Sequence, residues 1–251
     1  MFADLAFFSF IELQDPSQRQ AYNTWHQLDH RPENLALPGV AWGDRWELPA
    51  EYAPLVESNA EFGAVDYVAM YWFRPPVAES VAAWDALGEA SFQWGRGPII
   101  PGIRRPMLAF FRPVKGYAAQ SALVSPEVLP YRPNRGIHLS VTRFAEPHAG
   151  VVHDAHQQAD RETMPALLGL DGVSGGWTFS YSHPQQHRTL PLDGSVADAP
   201  GSIRIRLLYL EDDPAEVAKR VRDIDEAHET DVAGETLLRA PLKTIIPWQD
   251  W

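Results

Sequence analysis

The chain has 251 residues, no cysteine and a formal net charge of −12 at pH 7. Hydrophobic residues make up 45% of it and charged residues 22%, which is typical of a globular protein and excludes a disordered one. The absence of cysteine excludes disulfides, thiol nucleophiles and cysteine-ligated metals. The acidic charge argues against nucleic acid and anionic membranes as partners.

No apolar run approaches the roughly 20 residues that span a bilayer, so we expect no membrane segment. The first residues, Met1-Phe2-Ala3-Asp4, lack a basic region and contain an acid. We therefore expect no secretory signal and a cytoplasmic protein.

Four strands and two helices are predicted in the first half. A strand at 5–10 precedes the helix-start signal Asp15-Pro16-Ser17, and the helix that follows ends at Pro38-Gly39. Strands are predicted at 40–46 and 66–73. The second helix opens at Pro75-Pro76 with an apolar stripe, and a strand at 106–112 closes this half.

The second half repeats the same order at nearly constant spacing. The matching segments are 5–10 with 137–142, 37–40 with 170–173, 67–73 with 203–209, and 106–111 with 241–246. Each half therefore reads strand, helix, strand, strand, helix, strand, which is the ferredoxin-like unit. Its second helix in this half opens at Asp213-Pro214 and places Val217, Val221 and Ile224 on one face.

A ferredoxin-like sheet carries helices on one face only, so its other face needs cover. We predict an α+β fold in which two ferredoxin-like βαββαβ repeats form an intramolecular α/β barrel. The first repeat spans 1–118, a proline-rich linker spans 119–134, and the second repeat spans 135–251. We expect an apolar hollow sheltered between the two halves.

The segment from Tyr22 to Val40 carries Asp29-His30-Arg31-Pro32 and then Pro38-Gly39-Val40. This arrangement resembles the first helix of the dimeric α/β-barrel superfamily, and more narrowly its EthD-like and stress-responsive A/B-barrel groups. The resemblance implies the fold more firmly than a reaction, because the superfamily includes cofactor-free monooxygenases, lactone isomerases, polyketide cyclases and haem enzymes. Single-copy relatives pair, so a tandem chain is expected to be a monomer or a homodimer.

The second half departs from this motif. Aligned on Gly39 and Gly172, Thr163 stands at the position of His30 and Glu162 at that of Asp29, whereas Pro165 matches Pro32. We infer one active half and one half retained as the covering sheet.

His30 is the principal catalytic candidate, because imidazole titrates near neutral pH and can take a proton from a carbon acid or a phenol. His26 and Glu33, at i−4 and i+3, share its helix face and are the predicted catalytic partners, whereas Asp29 points about 100° away. A capping or packing histidine is the alternative interpretation. His26 and His30 also have metal-ligand spacing, but the sequence lacks the HExxH glutamate, and we predict no metal.

Other histidines carry weaker signals. His148, His153 and His156 are expected in a hydrated loop; if the stretch is helical instead, they could line a pocket or hold a metal. His183 and His187 are expected in an exposed loop. His138 lies in a predicted strand with Ser140 and Thr142 on its face, either in a binding cavity or as a buried histidine. Arg204 and Arg206 could bind a carboxylate or an enolate, although salt bridges to neighbouring acids are the favoured interpretation.

Aromatic residues cluster in the first half near the His30 helix. As core residues they need no further explanation, and as pocket walls they would suit an aromatic ligand. The predicted substrate-binding residues are Trp25, Trp42, Tyr67, Tyr71, Trp72 and His138.

The sequence contains no phosphate-binding glycine loop, dinucleotide fingerprint, GxSxG elbow or calcium loop. We therefore predict an enzyme without cofactors, in which His30 moves protons on a hydrophobic carbonyl or phenolic small molecule by isomerisation, cyclisation, lysis or oxygen addition. The alternatives are a non-catalytic binder of an apolar metabolite, a haem- or metal-dependent enzyme of the same superfamily, and a structural or stress-related oligomer whose pocket is filled by its own side chains.

Overall fold

The computed structural model describes residues 2–96, 100–186, 198–228, 230, 232 and 234–249. His187, one of the weaker candidates, lies outside these residues. Within them, no helix combines the length and the apolar character that crossing a membrane requires.

Within the described residues, nine strands form one antiparallel sheet. They are β1 (Leu5–Leu13), β2 (Val40–Glu47), β3 (Glu57–Ser58), β4 (Tyr67–Phe73), β5 (Ile103–Ala118), β6 (Gly136–Arg143), β7 (Val173–Pro184), β8 (Ile203–Leu210) and β9 (Glu235–Thr244). Their order is β2-β4-β1-β5-β7-β8-β6-β9-β3, and β2 also pairs with β9 at Trp46–Thr244 and Glu47–Lys243. The predicted α+β class with a large antiparallel sheet is confirmed.

Six α-helices in the described part of the chain pack on this sheet. They are α1 (Arg19–Trp25), α2 (Arg31–Leu35), α3 (Val77–Gln93), α4 (Gly150–Gln158), α5 (Met164–Leu168) and α6 (Pro214–Ala227). A π-helical turn at His26–His30 joins α1 to α2 without a break, and another at Ala159–Thr163 joins α4 to α5. The prediction of a loop around His153 and His156 is wrong, because both residues lie in α4.

The two halves of the chain contribute to one main core. Phe8 and Trp72 from the first half meet Trp177 and Phe179 from the second, with the Trp72 and Trp177 rings 5.3 Å apart. Close packing of large rings removes apolar surface from water and fills the volume between the halves. The prediction of an apolar hollow between the halves is therefore wrong. The cavity described below lies instead on the helix-covered side of the sheet.

Strand β5 connects the halves. Its first part pairs with β1, and the stretch from Ala109 to Ala118 pairs with β7. The chain after it forms short 3₁₀ turns at Gln120–Ala122 and Pro126–Tyr131. The proline-rich connection at 119–134 therefore consists of short turns rather than strand. Pro126 begins the second turn, where a proline leaves no N–H unpaired.

Candidate active site

A cavity of about 80 Å³ lies between the helices of the first half and the sheet. Its floor comes from alternate residues of β1 and from β4 and β5, because successive side chains of a strand point to opposite faces. Its walls come from α1, α2, α3 and the π-helical turn. The residues that matter below are Trp25, His26, His30, Tyr71, Trp84 and Arg105.

The π-helical turn brings both candidate histidines to this cavity. Pro32 has no N–H to donate to the carbonyl four residues earlier, so the regular α-helical ladder is interrupted. The N–H of Arg31 instead donates to the His26 carbonyl, five residues back. The wider turn leaves the rings of His26 and His30 edge to face, 5.3 Å apart. Such turns are frequent at functional sites.

His30 is held by aromatic contacts. Its ring stacks on Trp25 at 4.6 Å and 20°, and Tyr71 meets it edge-on at 6.2 Å. Trp25 is itself fixed, since its indole N–H donates to the carbonyl of Arg96 at 2.8 Å. Among the described residues, the His30 ring makes no hydrogen bond, so both ring nitrogens are available to a ligand.

Both histidines are neutral at neutral pH. Burial, and after it the positive charge of Arg105, lower the pKa of His30 to about 4, although Glu33 partly opposes this shift. Burial and then Arg45 lower the pKa of His26 well below its ordinary value. A neutral imidazole has a lone pair that can accept a proton, which a protonated ring lacks.

Arg105 places a positive charge in the same cavity. Burial lowers the pKa of its guanidinium from the ordinary value, and within the described chain it has neither a salt bridge nor a hydrogen bond. A desolvated cation without a counter-ion costs stability, so within the described chain Arg105 is a positive charge that a bound anion would stabilise.

Several other buried polar atoms beside the cavity lack partners in the described part of the chain. They are Nδ1 of His26, the Tyr71 hydroxyl, Nε and Nη1 of Arg45, and Nδ2 of Asn23. Arg45 is fully buried with its guanidinium over the rings of Tyr22 and Tyr67. Because buried polar groups are almost always hydrogen-bonded, this concentration indicates bound water or a ligand.

Glu33 is hydrogen-bonded to groups other than His30. Its carboxylate accepts from the Ser91 hydroxyl at 3.0 Å and from Arg96 at 2.5 Å, while Arg96 also contacts both oxygens of Asp29 at 3.1 Å. Arg96 therefore ties α2 and the π-helical turn to the end of α3. The structure brings His26 and His30 together at the cavity, with Glu33 at its rim and bound to other groups.

The predicted substrate-binding residues divide into two groups. Trp25 and Tyr71 line the cavity. Tyr67 lies beside it under Arg45, whereas Trp42 and Trp72 pack against the main core. His138 is buried in the second half, 2% exposed, where burial and Arg206 lower its pKa to about 3.

The donor set around His26 and His30 does not suit a cation. No group of three histidine, aspartate or glutamate residues converges on a point in the part of the chain that the structure describes. The positive charges of Arg45 and Arg105 act on these rings more strongly than the one acid that affects His30, Glu33, can offset, and arginine repels a divalent ion.

Sequence reasoning missed Arg105, and a bulge explains why. On β1, Phe10 pairs with Met107 and Glu12 with Arg104, so β5 has one extra residue between these pairs. Such a bulge re-aims the side chains beyond it, and Pro106 at this place, which lacks a ladder donor, was the available signal.

Comparison with known proteins shows the fold alone. No protein-family model matches the chain, and no curated protein matches its sequence. A solved structure named "Putative monooxygenase" from Fusobacterium nucleatum superposes with a TM-score of 0.57 at 9% identity, covering 98% of this chain and 94% of that one. An anthrone oxidase-like protein gives a TM-score of 0.48 at 13% identity, covering 97% and 92%. The chain thus has the fold of the Fusobacterium protein.

Proposed function

We propose that the chain is a cofactor-independent enzyme in which His30 accepts a proton from a hydrophobic carbonyl or phenolic small molecule. The observation that carries this proposal is the pairing of a neutral imidazole with the guanidinium of Arg105, which has no partner in the described chain, in one aromatic-walled cavity. A base next to a fixed cation is the arrangement that favours forming and holding an anion.

The proposed step breaks a C–H or O–H bond of the bound molecule. The proton goes to a ring nitrogen of His30, and the electron pair remains on the ligand as an enolate or a phenolate. Arg105 donates to the oxygen on which the charge accumulates. Return of the proton to another carbon completes an isomerisation and regenerates the neutral ring.

The same step can begin a cyclisation, a lysis or an oxygen addition, in which O₂ reacts with the carbanion. We retain oxygen addition because the Fusobacterium protein with this fold carries a monooxygenase name. His26 is proposed to adjust the charge state of His30 through their ring contact, and Trp25 to orient it by stacking.

We also propose that the chain arose by tandem duplication, with repeats at 1–118 and 135–251 that close into an α/β barrel. Three observations support this. The strand order β2-β4-β1-β5 of the first half has the same connectivity as β7-β8-β6-β9 of the second. Both halves carry a π-helical turn followed by a proline, Pro32 or Pro165, and β2 pairs with β9. On the sequence motif we further propose kinship with EthD-like proteins.

The proton-transfer test needs only the first half-reaction. The probe is 2-tetralone, a bicyclic ketone with acidic C–H bonds, and the readout is deuterium uptake in D₂O followed by proton NMR. We expect the wild-type protein to exceed the buffer rate and His30→Ala to lose roughly 100-fold or more of that excess. His153→Ala removes an exposed imidazole from α4 and should match the wild type.

Exchange at the buffer rate with the wild-type protein would overturn catalysis and leave a binder. Undiminished exchange by a folded His30→Ala variant would remove His30 from the mechanism. A haem absorption band in the active protein, or loss of exchange after chelation, would overturn the cofactor-free proposal.

A further inference from the structure

A second cavity lies in the C-terminal half, on the helix-covered side of the sheet. It has a volume of about 160 Å³ and lies between the α4–α5 helical segment and strands β6, β7 and β8. It shares no lining residue with the first cavity. Its position under a π-helical turn resembles that of the first cavity, but its lining is different.

Polar side chains cover the floor of the second cavity. On β6 and β8, Ser140 pairs with Arg206 and Thr142 with Arg204. The corresponding central strands of the first half pair Ser9 with Ala69. Hydroxyl and guanidinium groups therefore replace much of the apolar surface, so a hydrophobic ligand would leave these groups unpaired.

Arg204 differs from the other arginine on this floor. Arg206 makes a bidentate salt bridge with Asp225 at 2.8 and 2.7 Å. Arg204 has no salt bridge and no hydrogen bond in the described part of the chain, although burial lowers the pKa of its guanidinium. The acid that acts most on the pKa of Arg204 is Asp160, whose carboxylate accepts hydrogen bonds from the Tyr117 hydroxyl and from Lys115, the latter at 3.3 Å.

His156 adds a neutral imidazole to the wall. Its ring meets Phe144 edge-on at 5.3 Å, and burial followed by the charge of Arg204 lowers its pKa to about 4. Near neutral pH the ring therefore offers one N–H donor without a second positive charge. Together with the Ser140 and Thr142 hydroxyls, it supplies donors around Arg204, which is unpaired among the residues that the structure describes.

We propose that this cavity is a second binding site, which takes an oxyanion, the carboxylate or phosphate group of a small hydrophilic molecule, on Arg204. The guanidinium offers a planar pair of N–H donors that matches either group. The hydroxyls of Ser140 and Thr142 and the ring of His156 donate to its remaining oxygens. The ligand class thus differs from the hydrophobic molecule proposed for the first cavity.

Equilibrium dialysis with radiolabelled inorganic phosphate and with radiolabelled malonate tests this at constant ionic strength, chloride being the competing anion. We expect the wild-type chain to bind about one equivalent of at least one probe, and the stronger probe identifies the source of the oxyanion. Arg204→Met should weaken this binding roughly tenfold or more, because hydrogen bonds to charged groups are strong. Arg105→Met should retain it, which separates the two cavities.

Arg161→Met is the matched control, because it removes an exposed arginine from the adjoining π-helical turn. Its binding should equal that of the wild type. Thr142→Val, which conserves volume and removes one hydroxyl, should also weaken binding. Removal of the unpaired Arg204 charge should raise the melting temperature without ligand, which a purely structural arginine would not do. The proposal is overturned if neither probe binds the wild type, or if Arg204→Met and Thr142→Val both bind as it does.

Discussion

Replacing Arg105 by methionine separates the cation of the first cavity from its shape. Methionine keeps an unbranched chain that can cover the same apolar surface, so the cavity walls should persist. What is lost is a guanidinium with free donors facing the bound ligand. Hydrogen bonds to charged groups contribute about 1.5–3 kcal/mol each. Since one pKa unit equals about 1.36 kcal/mol, one such bond should shift the ionisation of a bound phenol by roughly one to two units.

The assay uses 4-nitrophenol, because its phenolate absorbs visible light whereas its neutral form does not. Absorbance titration of the saturated complex gives the pKa of the bound phenol. The wild-type protein should lower that pKa relative to free solution, because Arg105 stabilises the phenolate. The Arg105→Met complex should return it toward, or above, the value in water, since the buried site then disfavours the anion.

Arg112→Met provides the matched control on the same strand, because Arg112 is exposed and does not line the cavity. It should ionise the bound phenol as the wild type does. If Arg105→Met also leaves the pKa of the bound phenol unchanged, Arg105 does not contact the ligand's oxygen and the charge argument for this site is refuted.

Three further predictions concern stability and the site's neighbours. Lowering the pH from 8 to 5 should destabilise the protein by roughly 2 kcal/mol through His30, because the unfolded ring takes up a proton near its ordinary pKa of 6.5 and the folded ring only near 4. In urea unfolding, the free energy of unfolding of His30→Gln should therefore change less with pH than that of the wild type. An equal pH dependence would contradict this. Glu33→Gln should lower the free energy of unfolding by less than about 1 kcal/mol and keep the rate of 2-tetralone exchange within about threefold of the wild type. The reason is that Glu33 binds the half-exposed Arg96 and not His30. A larger loss of exchange would restore Glu33 as a catalytic group. Gly43→Ala should destabilise by about 1–3 kcal/mol in urea, since its Cβ would lie 2.2 Å from the Tyr71 ring; wild-type stability would contradict that packing.

Much of the fold was predictable because hydrophobic patterning and turn signals act locally. The apolar run at 5–10 became the buried β1, and Asp213-Pro214 opened α6, where the Asp213 side chain accepts from two backbone N–H groups. The segment of His153 and His156 was predicted as a loop although it is helical. Only Val152 is buried in α4, so the sequence lacks the apolar stripe that would have indicated a helix.

The location of the cavity was not predictable from composition. Aromatic residues at adjacent strand positions point to opposite faces, so Tyr71 lines the helix-side cavity whereas Trp72 fills the main core. The sequence pattern indicates that both residues are buried, but it does not indicate on which face of the sheet a cavity remains. Arg105 was hidden for a related reason, since the bulge beside Pro106 changes the alternation of β5.

The site motif itself was readable on the chain. The histidines were identified there, but one helix was expected up to Pro38-Gly39, whereas the structure has a π-helical turn at His26–His30, just before Pro32. The role of Glu33 depended on a partner 63 residues away, Arg96, which no local pattern encodes.

The central claim is that His30 receives the proton of the bound ligand, and nitrogen NMR of its ring measures this most directly. In the free protein the ring should remain neutral down to about pH 4. With 4-nitrophenol bound as its phenolate, the adjacent anion should raise the pKa of His30 by at least about one unit, because an opposite charge favours the protonated ring. An unchanged His30 titration in a complex that contains the phenolate would contradict the account.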